Sequence, residues 1–389
     1  MGAVVTVAAM AIPWGKKPDN LLITLAGAFS ALLMVVINKG PSQVSLLKAA
    51  NPLLFLFLLG VTILAAGSRH TWQTLALRLP QSWAPIIVTI MAGFLSGILD
   101  GVSVIGMTLA TLTILRPGLL TAMVASIATS VGGFWAAWGE PPNLIMKMGL
   151  GLDNRFFLTW LGIPALVTTM SLAWHMRHST QQHAQGEKVV GKTLAPIGVF
   201  LVGLILHGFW AMFPVWLAPW LGVLVGTAIH AYDRKNIKAG YEEWKAYIFL
   251  APFFIQAACV RQLGALDWMI DLIPSIALAP TAGILMTFLI TVILGALLDS
   301  SSVAQILVLS LQGVALSGSL REAVIAAGLS GFAIGGALTP IGSMQSAVTY
   351  EFLRERGETP SWGTWFKLNL KLVVIPTIAT LGWIYYRLR

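Results

Sequence analysis

Charge is scarce in this sequence. Only 10% of its 389 residues are Asp, Glu, Lys or Arg, against roughly a quarter in an ordinary soluble domain, which excludes a soluble globular enzyme. A single cysteine, Cys259, rules out an internal disulfide and says nothing about redox compartment. Lys and Arg outnumber acids by 24 to 15, yet they are scattered through short loops with no basic stripe, so nucleic acid is excluded as a partner. No Gly-x-Ser-x-Gly elbow with a placed His occurs, which argues against an intramembrane hydrolase. His175, His178 and His183 lack the spacing of a metal pair with its acid. The expectation is a protein that is not an enzyme and binds no cofactor.

What is abundant is apolar: 57% hydrophobic residues, with 15 Trp, 38 Gly and 19 Pro. Indole rings anchor at headgroup level, and Gly and Pro are commoner in lipid-spanning helices than in soluble ones. The chain therefore reads as a multi-pass protein of the inner membrane with the lipid bilayer as its first partner. Runs near the twenty residues needed to cross about 30 Å of hydrocarbon lie at Leu21 to Ile37, Pro52 to Ala66, Phe156 to Trp174, Leu194 to Trp210, Met212 to His230, Tyr247 to Val260 and Leu370 to Tyr385. Four more are interrupted by Gly, Pro, hydroxyls or a carboxylate: Trp83 to Leu115, Leu119 to Ile145, Ile270 to Leu316 and Ala323 to Phe352. Gly2 to Ile12 is apolar but short and lacks a preceding basic region, so it reads as a remnant span or an interfacial anchor rather than a cleavable signal. The basic segments Arg177 to Lys192 and Asp233 to Lys245 fall on one face, read as cytoplasmic. Arg354 to Lys371, with Trp362, Trp365 and Phe366 among charges, reads as an interfacial helix or a solvated loop.

The chain also repeats itself. Pro52-Leu-Leu-Phe-Leu is matched by Pro252-Phe-Phe-Ile-Gln, Leu99-Asp100-Gly101-Val-Ser103-Val by Leu298-Asp299-Ser300-Ser301-Ser-Val, and Val131-Gly132-Gly133 through Gly139-Glu140 by Ile334-Gly335-Gly336 through Gly342-Ser343, each at an offset of about 200 residues. The organisation expected is an N-terminal segment over 1–20, a first transmembrane repeat over 21–175, a hydrophilic linker over 176–193 and a second repeat over 194–389. Interrupted segments at matching places in two halves point to a secondary active transporter with its site near the midplane.

Asp100, Glu140 and Asp299 are the acids that lie well inside apolar stretches. Burying each in lipid would cost about 2.5 to 3.5 kcal/mol on insertion scales, so each should face a polar cavity. Asp100 and Asp299 are either caps of the half-helices that follow or handlers of a proton or cation, and the two roles are compatible. Glu140, followed by Pro141, Pro142 and Asn143, lies either at an unwound point or in a surface loop near Lys147. The glycines at 132, 133, 335 and 336 serve either close helix packing or an opened backbone that offers carbonyls and amides. Hydroxyls cluster beside them: Ser126, Thr129 and Ser130 in the first half, Ser330, Thr339 and Ser343 in the second. Na+ would take such oxygens, whereas an anion would take amides at half-helix starts. Arg261 is either an anion or counter-charge site or a snorkelling side chain. His207 and His230 read as interfacial or packed.

With these motifs in view, the chain resembles the ion transporter superfamily of NhaD-type sodium/proton antiporters, ArsB-type arsenite permeases and dicarboxylate or citrate carriers. Gly132-Gly-Phe-Trp-Ala-Ala-Trp-Gly139-Glu140 resembles the antiporters' Gly-Gly-x-Trp-Ser-Pro-Ile-Gly-Asp. Gly336-Ala-Leu-Thr339-Pro-Ile-Gly342-Ser343 resembles the permeases' Asn-Leu-Thr-Pro-Ile-Gly-Ser. Phe253-Phe-Ile and Leu263-Gly-Ala-Leu resemble the stretch leading into the second hairpin. The resemblance implies an all-α polytopic membrane protein of two inverted repeats, each with a re-entrant hairpin and a broken transmembrane helix, often a homodimer. It places Asp100 and Asp299 where relatives carry an Asp-Asn pair, with Gly101 and Ser300 standing for the Asn. The reading it favours is a cation (Na+)/proton antiporter, with Na+ or H+ as coupling ion and Asp100 and Asp299 as exchanging carboxylates that could hold Na+. The alternative is an anion permease for arsenite or a di- or tricarboxylate. In either case the substrate is a small inorganic ion or small anion.

Overall fold

The computed structural model describes residues 20–39, 52–77, 80, 83–99, 101–114, 118–178, 194–209, 212–245, 279–312, 316 and 318–389, with single residues and pairs between 248 and 263. Asp100, Arg261, Phe253-Phe254, Leu266, residues 2–12 and 179–192, and most of Tyr247 to Val260 lie outside them.

Among the described residues the chain is helical throughout. The first half runs α1 (Asn20–Lys39), α2 (Pro52–Leu77), α3 (Ala84–Ile98), α4 (Gly101–Ile114), α5 (Leu119–Gly132), α6 (Pro141–Leu150) and α7 (Asn154–His175). The second runs α8 (Leu194–Phe209), α9 (Leu217–Ala228), α10 (Arg234–Lys245), α11 (Pro280–Leu297), α12 (Ser300–Leu311), α13 (Gly318–Leu338), α14 (Met344–Glu355) and α15 (Trp362–Leu388). Five helices contain stretches long and apolar enough to cross a bilayer: Pro52–Arg69, Asn154–His175, Pro280–Leu297, Gly318–Leu338 and Trp362–Leu388.

The interruptions fall where local chemistry demands. Proline enters the first turn of α3, α6 and α11, where its missing N–H leaves no intrahelical bond unmade. The hairpins open at extended backbone, at Leu99 (φ −98°, ψ 169°) in the first half and at Leu298 (φ −122°, ψ 159°) and Asp299 (φ −60°, ψ 138°) in the second. Helix α5 tightens through a 3-10 turn at Gly133–Trp135, and the chain stays non-helical until the Pro141-Pro142 start of α6. Helix α6 ends at Gly151, whose φ of +66° is the left-handed stop that glycine adopts without strain. In the second half α13 stops after Leu338, and α14 restarts with Ser343 as its cap. Each half thus presents a helix, a hairpin pair, a broken helix and a long closing helix in the same order.

Packing crosses the halves. Helix α6 lies on α12, α14 lies on α4 and α5, and the closing helices α7 and α15 lie against each other. Phe134 and Phe332 meet edge-on, 6.5 Å between ring centroids. A second cluster is built on α2, which packs against α9 and α10. Large apolar side chains face outward, among them Phe29, Leu158, Ile293 and Ile378, while Ser, Thr, Asn and Glu140 are buried. That is the polarity expected of a protein whose solvent is lipid.

The basic segment Asp233 to Lys245 forms α10, docked antiparallel along α2. Tyr232 wedges against Gly67 and Gly226, and its hydroxyl lies 3.2 Å from Ser68 Oγ. Gly240 then lies on the backbone of Ile63, and Trp244 Nε1 donates to Phe55 O at 3.0 Å. Arg354 to Lys371 does not form one interfacial helix. Helix α14 ends at Glu355 and α15 begins at Trp362, with Trp365 fully buried and donating to Ala337 O at 3.2 Å. Both stretches carry charges on one side and small or aromatic residues on the other, and it is the latter that find partners.

Candidate transport site

The two interruptions of each half lie side by side. In the first half Gly139 sits so tightly on Ser96 and Gly97 that a Cβ would overlap their backbone. Gly101 N donates to Gly139 O at 3.0 Å, which joins the start of α4 to the break before α6. In the second half Gly342 lies on Gly295, and Thr339 Oγ1 donates to Ala296 O at 2.6 Å.

Glu140 is 3% exposed, so the surface-loop alternative does not hold. It caps the start of α6 and reaches over Gly101, where an added Cβ would overlap Glu140 Oε1 and lie 2.6 Å from Gln345 Nε2. Gln345, on the first turn of α14 and 2% exposed, donates from Nε2 to Glu140 Oε2 at 2.6 Å. A carboxylate of one half is thereby held by an amide of the other.

Asp299 is a helix cap, accepting from Ser301 N at 2.9 Å. Ser300, Ser301 and Ser302 follow it, all buried. Ser343 caps α14, accepting from Ser346 N at 3.1 Å and donating to Ser346 Oγ at 3.0 Å. Ser346 Oγ in turn donates to Gly336 O at 3.0 Å. The starts of α12 and α14 are therefore lined by small hydroxyls.

The other singled-out residues divide. The glycine pairs keep α5 and α13 helical or in a 3-10 turn, and they allow close approach rather than an opened backbone. Gly132 is placed against Thr169 and Gly93, Gly133 against Ser96, Gly335 against Val292, and Gly336 beneath Gly342 and Ser343. The chain opens several residues later. Thr129 Oγ1 donates back to Ala125 O and Ser126 O at 3.0 and 2.9 Å, and Ser130 Oγ to Ile127 O at 3.4 Å. Ser103 is buried on α4. Asn143 is fully buried and donates to Ala136 O at 2.8 Å, bracing the break from within.

Sequence reasoning missed Gln345, Ser346, Trp365 and Asn369. Asn369 Nδ2 donates to Ala337 O at 2.7 Å, bracing the second break much as Asn143 braces the first. The signal for Gln345 was its long amide in a stretch of small residues directly after Gly342-Ser343.

A family model described as ArsB, arsenical pump membrane protein, matches residues 184–388. Arsenical pump membrane proteins of Yersinia enterocolitica and Escherichia coli are each 25% identical to this chain. The matches run over 203 and 197 residues, 49% and 48% of this chain and 46% and 45% of theirs. The chain thus spans about half the length of the curated relatives it matches. Among solved structures, the YdaH transporter of Alcanivorax borkumensis has a TM-score of 0.55 at 15% identity, over 99% of this chain and 94% of that one. At that identity the likeness is one of fold. Multi-pass, all-helical and with hairpins and broken helices in both halves, this inner-membrane chain belongs to the ArsB family of arsenical pump membrane proteins in the ion transporter superfamily.

Proposed function

We propose that this chain exports arsenous acid, or a closely similar uncharged trihydroxide, in exchange for protons. The observation that carries the reading is the lining of the second half's interruptions: Asp299 and the buried hydroxyls of Ser300, Ser301, Ser343 and Ser346. No Lys or Arg occurs over 280–311 or 322–353. A di- or tricarboxylate would need cationic partners there, since an uncompensated charge in a dry site is costly. Arsenous acid is a weak acid, mostly uncharged near neutral pH. Its hydroxyls can donate to a carboxylate and to the serine oxygens, while its own oxygens accept from the hydroxyls of the serines that follow Asp299 and from the first amides of a helix. The relatives' description as arsenical pumps supports the same substrate. In this reading 21–175 and 194–389 act as inverted repeats, and Asp100 supplies the first-half counterpart of Asp299.

Everted vesicles with a respiration-driven pH gradient test it. Vesicles holding the protein should accumulate arsenic from added arsenite and release protons in step, as read by elemental mass spectrometry and a pH dye. Absence of arsenic uptake would overturn the proposal. The buried carboxylates of Glu140 and Asp299 favour a second reading, cation/proton exchange, which the same vesicles register as collapse of the gradient by Na+, Li+ or K+ alone.

A further inference from the structure

The two halves are not equivalent at their interruptions. At the matched positions the second half carries Ser300 and Ser343, two short hydroxyls, whereas the first carries Gly101 and Glu140. The first half has lost one side chain and lengthened the other. The carboxylate fills the room over Gly101, and Gln345 closes it from the opposite half at 2.6 Å. Its own acid thus occupies the place that is left to a polar substrate in the second half.

We infer that Glu140 is the carboxylate that carries the coupling proton, and that Gln345 is the positioning residue that holds it in place between the halves in this conformation. The inference rests on the proposed exchange of arsenous acid for protons. A glutamine amide donates to a carboxylate oxygen without itself gaining or losing a proton, so it orients the carboxyl and leaves the proton to it. When α14 and α4 separate, that donor is withdrawn, the carboxyl takes up a proton, and the neutral group can cross with its helix. The surroundings leave few other candidates for the proton. Helices α3, α4, α5 and α12 contain no ionisable residue, α6 contributes Lys147, and α14 contributes Glu351, Arg354 and Glu355, all toward the far ends of their helices. Asp100, next to Gly101 in the chain, and Asp299, the cap of α12, are the other carboxylates of the interruptions, and α2, which packs on α4 and α6, contributes Arg69 and His70.

Vesicles holding wild type, Glu140→Gln and Gln345→Leu separate the outcomes. Glu140→Gln should keep arsenic-for-arsenic counterflow at equal pH but lose gradient-driven accumulation and arsenite-dependent proton release. Gln345→Leu should still accumulate arsenic, with the midpoint of its pH profile displaced from that of wild type. This second variant keeps the test open if the first fails to reach the membrane. Wild-type accumulation by Glu140→Gln, or an unshifted midpoint in Gln345→Leu, would overturn the inference. Failure of the wild type to accumulate arsenic overturns the proposed substrate instead, and the variants are then read by the same pH shift in cation-driven proton flux.

Discussion

At the scale of single residues, the site depends on which polar atoms are already engaged. Thr129 and Ser130 turn their hydroxyls back onto their own helix, whereas Ser300, Ser301 and Ser302 stand at a helix start behind a carboxylate cap. Asp299 is the clearest test of that distinction, because a cap and a substrate acceptor differ in what they tolerate. Asparagine caps a helix as well as aspartate does, whereas alanine costs about 0.5–2 kcal/mol. Asp299→Asn should therefore unfold in detergent near the wild-type temperature, and Asp299→Ala measurably below it. Under the proposed exchange both should raise the KM for arsenite, since neither offers a charged acceptor. Equal destabilisation in the two variants would remove the cap from the account.

At the scale of elements, close approach decides which helices pair. The sequence flagged the glycines of α5 and α13 and left open whether they pack or open the chain. Contacts with Gly93, Thr169, Ser96 and Val292 settle them as packing positions, while the opening falls at 136–140 and 339–343, where Pro141 and the Ser343 cap restart the helix. Helix α10 shows the same dependence. Its composition is basic and polar, yet Gly240 lets it lie directly on the Ile63 backbone. Gly240→Leu should displace α10 at a cost of about 1–3 kcal/mol, because backbone cannot yield as a side chain can. Trp244→Phe should lose only the bond to Phe55 O, about 1 kcal/mol. Thermal midpoints of the solubilised protein would rank the two, and the reverse order would contradict the docking of α10 described above.

At the scale of the whole molecule, the halves are cross-wired. Each broken helix rests on the other half's hairpin, α6 on α12 and α14 on α4. Gln345 reaches Glu140, Gln312 donates to Gly149 O at 2.9 Å, and Trp160 donates to Glu322 at 2.8 Å. Either half alone would leave the buried pair Glu140 and Gln345 unmet, at a cost of about 1–3 kcal/mol for each group. Separate expression of residues 1–185 and 186–389 should give little membrane protein, and co-expression should restore the protein and, under the proposed function, arsenic accumulation. Stable accumulation of one half alone, read by immunoblot of washed membranes, would contradict the cross-wiring.

By itself the sequence determined the solvent and the places where helices stop. Hydropathy, proline and the recurring Leu-Asp and Gly-Gly signatures act over a few residues, and each was realised at Leu99, Leu298, Pro141 and Ser343. Only the tertiary structure decided which polar groups meet. Glu140 was conspicuous as a buried acid, but its partner lies 205 residues away, and no local rule pairs a glutamate with a distant glutamine. That pairing depends on α14 crossing α4, which in turn depends on how closely glycine-bearing faces approach. Backbone breaks are short-range chemistry and legible in the chain, whereas the matching of buried donors with acceptors is set by packing across the whole fold.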